Sequence, residues 1–492
     1  MRISLVLGLI GHLLLLFSPA FLVPLGLAFF QGEYASAGHY AVSLAAAAGT
    51  GWWLGRRLPR EPLLQRAEAM AIVAGTWLVV GVFCAIPYLF AGLSVVDALF
   101  ESISGLTTTG ATVLQDFDDE RYNDAFFLWR AMTQWFGGLG VIALFVVILP
   151  RLGIAGRQLF FAEASISTSE GISPQIRGAA RKLWVLYIGL TALLTVLLMW
   201  TDFGLYDAIV HALTTMSAGG FSPNGESIAG YANPRAEWVF VVFMIISGTS
   251  FPLVWRLVSG RVFEFFRDGE FLVYLGIMAV ASLVLAAMIG EDSLPGLDDL
   301  RAAAFQVTSI TSSTGYASVD YEVHWAWAPK AILVVVLLVG GCAGSACGGP
   351  KVIRWILAFK FLRREMTQVM HPTAVIPLRY RGRLIAEPIV RAVLTLVVLY
   401  MIGYLVVGLL LMVVEPDLDL TAAFSASLAC FGNVGPAFGK AGPMGNYAWF
   451  SSLGKLLLTL SMWLGRLEVV TVVALLQRDV WKHTRWRYED RA

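Results

Sequence analysis

Four times along the chain a short apolar stretch ends in a glycine-centred polar loop, and another long apolar stretch follows. The loops are Thr108-Thr109-Gly110-Ala111-Thr112, Ser217-Ala218-Gly219-Gly220-Phe221, Ser313-Thr314-Gly315-Tyr316-Ala317 and Asn433-Val434-Gly435-Pro436-Ala437. A single loop of this kind is an ordinary turn, because glycine is frequent in and between transmembrane helices. Four in equivalent positions, each between two segments of membrane length, predict four copies of one unit around a common axis. Such an arrangement lets one polypeptide build a ring of backbone carbonyls that replaces the water shell of a cation.

Of the 492 residues, 58% are hydrophobic and 14% charged. A soluble chain of this length would cover itself with charge, whereas here apolar runs long enough to span a bilayer recur, at 70–90, 126–149, 185–200 and 392–414. The predicted fold is an all-α integral membrane protein. Its four pseudo-symmetric helix–pore-loop–helix repeats surround a central pore and follow an N-terminal transmembrane hairpin. The stretch 5–30 is about twice the length of a signal-peptide core, and 40–54 returns the chain to Arg56-Arg57. The divisions are 1–66 for the hairpin, 67–182 for the first repeat with a cytoplasmic connector and 183–270 for the second. The third, 271–388, holds an intramembrane loop and a connector, and the fourth, 389–492, ends in a tail. Short pore helices are predicted near 95–107, 206–216, 300–312 and 420–432, too short to cross a bilayer. Irregular backbone at membrane depth must be buried in protein or line a wet cavity, so the loops belong at the axis.

With Arg2 placed in the cytoplasm, the loops at 56–67, 151–182, 256–267, 351–391 and 478–491 collect most of the 35 Lys and Arg on one side. The positive-inside bias then puts both termini in the cytoplasm. These basic loops read as topology determinants and partner-docking surface, not as nucleic-acid sites. Cys84, Cys342, Cys347 and Cys430 sit in apolar or small-residue stretches and read as packing residues. The six histidines form no ligand cluster, and Gly137-Gly138-Leu139-Gly140 opens no strand–turn–helix unit of the kind a dinucleotide site requires.

Glycine reaches φ > 0 without steric cost, which lets successive carbonyls face an axis. Thr108, Thr109, Ser313 and Thr314 add hydroxyls at the inner mouth. The loops contain no carboxylate, so coordination by neutral carbonyls favours a weakly hydrated monovalent cation, potassium best. Acidic residues precede the pore helices (Asp97, Glu101, Asp207, Asp298, Asp299, Asp417 and Asp419) and suit the positive end of a helix macrodipole, leaving the negative end aimed at the cation.

Phe100 to Thr112, Gln134-Trp135-Phe136-Gly137-Gly138-Leu139-Gly140, Ser217 to Ser222, Thr311 to Ala317, Gly340 to Gly349, Asn433-Val434-Gly435-Pro436 and Gly465-Arg466-Leu467-Glu468 together resemble the Trk/Ktr/HKT superfamily of potassium transporters. The similarity is greatest to its bacterial TrkH/TrkG-type membrane subunits, and the N-terminal hairpin favours that branch. The resemblance implies Gly110, Gly219, Gly315 and Gly435 as filter glycines, with Thr108, Thr109, Ala218, Thr314 and Val434 beside them holding potassium. It implies potassium as substrate with no organic cofactor, and a multi-pass place in the cell inner membrane. It also implies a cytosolic TrkA-like ring with nucleotide-binding domains as partner, docked on 151–182, 351–391 and the tail. A homodimer with one pore per protomer is expected. Ala218 and Pro436, and the Gly248-Thr249-Ser250-Phe251 segment, depart from the pattern.

Gly340-Gly341-Cys342-Ala343-Gly344-Ser345-Ala346-Cys347-Gly348-Gly349-Pro350 destabilises a helix and then ends it. It reads either as an obstructing loop below the filter or as close packing of small residues, and the resemblance favours a gate at Gly340, Gly341, Gly344, Ser345, Gly348 and Gly349. Arg466 lies mid-span, where an arginine is costly unless paired or wet. The resemblance makes it an electrostatic barrier, with a structural ion pair as the other reading and a partner from another repeat or a pore-loop carbonyl in view. Lys455 is expected to snorkel outward. Glu468 is the one acidic candidate for a proton- or sodium-coupled symporter using the same pore. A membrane enzyme would need clustered His, Asp or Glu at one face, and the sequence has no such cluster.

Overall fold

Many polar side chains lie inside this protein among its apolar core, and many large apolar ones face outward. Glu101, His211, Gln306 and Thr314 are fully buried, whereas Leu16, Val280, Val398 and Val413 lie more than half exposed on long helices. That distribution suits a chain whose solvent is lipid. The computed structural model describes residues 1–56, 65–143, 174–290, 295–467, 469–477 and 481. Among them the only strands form a hairpin, Arg379–Tyr380 with Arg383–Leu384, turned through Arg381 and Gly382, both at positive φ, as tight two-residue hairpins require.

Among the described residues, five helices are long and apolar enough to cross a membrane: Ile3–Phe30, Ala67–Phe90, Ala180–Trp200, Gly269–Ile289 and Glu387–Val414. The first is jointed at Ser18–Phe21 and packs on Tyr34–Gly55. Its approach is close enough that a Cβ on Gly51 would lie 2.7 Å from the Leu15 nitrogen, the small-residue contact that lets membrane helices meet. Arg2 ties this pair to the next helix through a 2.6 Å ion pair with the buried Glu68.

Four short helices occupy the stretches predicted for them, Val95–Leu106, Leu205–Met216, Leu297–Thr311 and Leu420–Phe431. At 1.5 Å per residue none spans a bilayer. Two of their starts carry an N-cap side chain: Ser94 Oγ accepts the Asp97 N–H, and the Asp419 carboxylate accepts that of Ala422, whereas Gly204 and Gly296 precede the other two. After each loop a further helix leaves: Asp124–Ala143, Pro234–Ser247, Trp327–Val339 and Ser452–Arg466. Lys455 does not snorkel. Its Nζ lies buried 2.6 Å from Asp97 Oδ1, joining the last of these helices to the start of the first short one. Pro234–Ser247 meets Phe251–Val258 at 110°. At the break Gly248 leaves room for the Tyr274 hydroxyl, 2.0 Å from where a Cβ would stand, and Pro252 restarts the helix where its missing N–H costs nothing.

Candidate ion-coordinating site

All four short helices end in the same way. The N–H of Thr108 bonds to Gly105 O and that of Thr109 to Ser104 O; Ala218 and Gly219 bond to Thr215 O and Thr214 O. Ser313 and Thr314 bond to Ile310 O and Ser309 O, and Asn433 and Val434 to Cys430 O and Ala429 O. This is the paired Schellman closure, which needs a left-handed residue just past the helix. Thr108, Ala218, Ser313 and Asn433 take that role at φ 51, 56, 54 and 53°. None is glycine, so each costs roughly 1–2 kcal/mol of backbone energy, held in place by burial on every side.

Two residues further on stands a second set of positive φ angles, at Gly110, Gly220, Gly315 and Gly435. A Cβ on Gly110 would lie 2.2 Å from the Gly219 carbonyl oxygen, and one on Gly220 1.8 Å from that of Thr314. One on Gly315 would lie 2.1 Å from Val434 O, and one on Gly435 2.6 Å from Thr109 O. Each glycine thus abuts the carbonyl that precedes the glycine of the next loop, and the fourth returns to the first. The loops close a ring, and only a hydrogen fits where the chains meet.

That ring corrects the register read from the sequence. Gly220, not Gly219, is the counterpart of Gly110, Gly315 and Gly435. Gly219 matches Thr109, Thr314 and Val434, while Ala218 matches Thr108, Ser313 and Asn433. The physical reason lies behind the loop, where a Cβ on Gly219 would come 2.4 Å from Gln134 Cδ. Gln134 Oε1 accepts the Phe221 N–H at 3.1 Å and its Nε2 donates to Gly219 O at 2.7 Å. The hydroxyls expected at the inner mouth are mostly engaged within the protein. Thr109 Oγ1 pairs with Thr107 and Asn433, Thr314 Oγ1 with Ser312, and Ser313 Oγ accepts the Gly348 N–H at 2.8 Å. Thr108 Oγ1 is buried with no protein partner.

Over one face of the ring opens a cavity of about 850 Å³. Gly110, Gly220, Gly315 and Gly435 form part of its lining, and so do the carboxylates of Asp116, Asp118, Asp124, Asp207 and Glu226. Among the described residues its one basic lining residue, Arg130, is buried and committed: it lies 2.7 Å from Glu101, donates to Ser222 O and stacks 4.0 Å over the Phe221 ring. The wall therefore carries net negative potential toward the ring. Asp116, Asp118 and Glu226 lie in loops and Asp124 and Asp207 in the first turns of helices, segments whose meeting no local pattern announces.

The glycine-rich run is non-helical from Gly340 to Lys351, buried throughout, and lies between helices Trp327–Val339 and Val352–Met370. Gly340, Gly344 and Gly349 have positive φ. The broken helix supplies what its backbone lacks: Cys342 N–H bonds to Gly248 O, Ala346 N–H to Ser247 O, and Phe251 N–H to Gly344 O. The divergent Gly248-Thr249-Ser250-Phe251 segment is thus a docking edge that pairs unwound backbone with unwound backbone. Gly341 and Gly348 have no room for a side chain, the first against Cys347 and the second against Gly432 O at 2.4 Å. Ser345 Oγ folds back on Cys342 O.

Three charged side chains hold this run, one of them Lys351, whose buried Nζ donates to Cys347 O. Arg466 Nη1 donates to Ala346 O at 2.9 Å, while its Nε and Nη2 are buried without protein partners. Among the described residues its contact is a carbonyl of the run, neither an ion pair nor a loop carbonyl of the ring. Glu270, which the sequence reading passes over, accepts the N–H groups of Ala343 and Ile353 at 2.7 and 3.2 Å. At the second position of its helix it reads as an ordinary helix-start acid. Glu468 lies outside the described residues, as do the basic stretches 57–64, 151–173 and 482–492.

The TrkH family profile, described as cation transport protein, matches residues 39–482. The "Trk system potassium uptake protein TrkH" of Escherichia coli strain K12 is 33% identical over 484 residues, covering 96% of this chain and 98% of that one. Its Salmonella typhimurium counterpart is 34% identical over 438 residues, 88% of this chain and 89% of that one. The crystal structure of the potassium transporter TrkH from Vibrio parahaemolyticus superposes with a TM-score of 0.88 at 30% identity, covering 98% of this chain and all of that one.

Proposed function

The chain belongs to the TrkH family of cation transport proteins, and from that premise we propose that it takes up potassium across the bacterial inner membrane through a gated central pore. The observation that carries this reading is the closed ring of Gly110, Gly220, Gly315 and Gly435 against the carbonyls of Gly219, Thr314, Val434 and Thr109. Neutral oxygens converging from four sides replace a hydration shell without trapping the ion, which favours potassium over more strongly hydrated cations. Four helix–loop–helix repeats, divided at about residues 67, 183, 271 and 389, then surround the pore, and the N-terminal helix pair flanks them as a transmembrane hairpin. The acidic cavity is the outer vestibule, where its carboxylates raise local cation concentration before the ion sheds water.

Below the ring, Gly340 to Gly349 obstruct the passage, and Arg466 adds positive charge on the same path. Opening requires that the run leave the Gly248 edge, Glu270 and Arg466. With both termini cytoplasmic, the hairpin at Arg379–Leu384 and the helix Val352–Met370 face the side where a TrkA-like nucleotide-binding ring docks, and two protomers pair with one pore each. Potassium is the substrate, and transport needs no organic cofactor on this chain.

Rubidium flux into vesicles containing the purified full chain tests the reading. Uptake that potassium suppresses and sodium suppresses weakly is the expected result. A folded chain that binds but passes neither ion overturns it.

A further inference from the structure

The second loop is built from weaker material than its neighbours. Loops one and three are braced from within, by Ser104 Oγ on Ala111 O at 2.5 Å and by Ser309 Oγ on Tyr316 O at 2.7 Å. The matching residue of the second unit is Thr214, whose hydroxyl is taken up by the Tyr316 hydroxyl and by carbonyls of its own helix. The second loop also carries two adjacent glycines, the pair with the greatest conformational freedom in the ring.

Gln134, on the helix Asp124–Ala143 that follows the first loop, makes up the deficit. It is fully buried, and both ends of its amide are used on the second loop, the oxygen on Phe221 N–H and the nitrogen on Gly219 O. The amide orientation is fixed by its partners, because a backbone N–H only donates and a carbonyl only accepts. Among the described residues no hydrogen bond reaches the matching carbonyls of Thr109, Thr314 or Val434. Gly219 O is therefore unlike the other three: it is held in orientation, and an N–H donor draws on its electron density.

We infer that Gln134 is a specificity-setting positioning residue, whose amide fixes the Gly219 peptide and makes the second side of the ring a weaker cation ligand. This inference rests on the pore reading above. The ring then has three free carbonyls and one tempered, and its preference among monovalent cations depends on a side chain that never touches the ion.

Two substitutions separate the parts of the contact. Gln134→Glu keeps the acceptor for Phe221 N–H, removes the donor to Gly219 O and places negative charge behind it. Gln134→Met keeps the volume and removes both bonds. The readout is the potassium-over-sodium permeability ratio from reversal potentials with full-length protein in bilayers. A second readout is the potassium-dependent rise in melting temperature in detergent, which reports ion binding without flux. Losing one neutral hydrogen bond is worth about a twofold to twelvefold change in an equilibrium, about fivefold at the centre of that range, and each variant is expected to change the ratio at least about threefold and to shrink the potassium-specific melting shift. Ratios and shifts within threefold of the parent in both variants overturn the inference, even where total flux falls, since that pattern marks a merely structural residue. Gly219→Ala serves where the Gln134 variants fail to fold. It pushes the amide aside while keeping its polar atoms, and it must move the ratio likewise. A parent protein with no selective flux overturns the pore reading itself, which a selective parent with unaltered variants does not.

Discussion

Arg466 Nη1 lies 2.9 Å from the Ala346 carbonyl oxygen, and this one bond joins the helix after the fourth loop to the unwound run after the third. A hydrogen bond from a charged donor contributes about 1.5–3 kcal/mol, and on the proposed path the same guanidinium would repel a passing cation. Arg466→Ala removes both effects, so rubidium flux should rise roughly tenfold, in keeping with one such bond. Arg466→Lys keeps the charge but loses the planar fork and should fall between. Flux from vesicles is the check, with monodispersity on gel filtration confirming assembled protein. Unchanged flux in a well-assembled Arg466→Ala protein sinks the barrier role.

Gly220 and Gly219 sit side by side yet answer to different neighbours. A methyl on Gly220 meets Thr314 O at 1.8 Å, which is backbone of the next loop and cannot yield, and the residue also has positive φ. A methyl on Gly219 meets the end of the Gln134 side chain, which can move. Gly220→Ala should therefore lower potassium flux at least about tenfold, the strain of a left-handed non-glycine residue alone being about 1–2 kcal/mol. Gly219→Ala should retain flux and lose only part of its selectivity. Equal damage from the two, measured as rubidium uptake and its competition by sodium, would count against the register set out here.

How much of this was legible in the sequence depended on how local the signal is. The short helices and their loops show as interrupted apolar runs, and the unwound run shows as five glycines and a proline within eleven residues. Register within the second loop did not show, because Gly219 and Gly220 satisfy the same pattern and only Gln134, 85 residues away, separates them. Docking of the run on Gly248 was hidden for the same reason: its three bonds join segments about a hundred residues apart. Lys455 looked like a snorkelling residue because its partner, Asp97, belongs to another unit. Pairings across units are the property that a single sequence with internal repetition conceals best.

Glu270 ties the unwound run, through Ala343 N–H at 2.7 Å, to the start of the helix that follows it, through Ile353 N–H at 3.2 Å. Glu270→Ala leaves two inward amides without their acceptor, a loss of roughly 1–3 kcal/mol each when buried. Hydrogen exchange at Ala343 and Ile353 should quicken by about tenfold or more, and flux should rise as the run loosens. Glu270→Gln retains one carbonyl oxygen and should show a smaller change in both measurements. Faster exchange spread evenly over the molecule would instead mark general destabilisation.

Glu101 and Arg130 form a buried pair at 2.7 Å in the first unit. The carboxylate also accepts the Val113 N–H, while the guanidinium reaches Ser222 O and the Phe221 ring. The pair thus braces the first loop against the second from the vestibule side. Removing one member of a buried pair costs about 3–5 kcal/mol, because the other is left charged and uncompensated. Arg130→Met should therefore lower the melting temperature in detergent sharply. Adding Glu101→Gln in the same chain removes the stranded charge and should recover part of that loss, with a coupling of about 0.5–3 kcal/mol. The recovered double variant should still show weakened discrimination against sodium, since neither residue then anchors the second loop at Ser222. Strictly additive losses would mean that the two side chains act apart, and that the brace between loops one and two lies elsewhere.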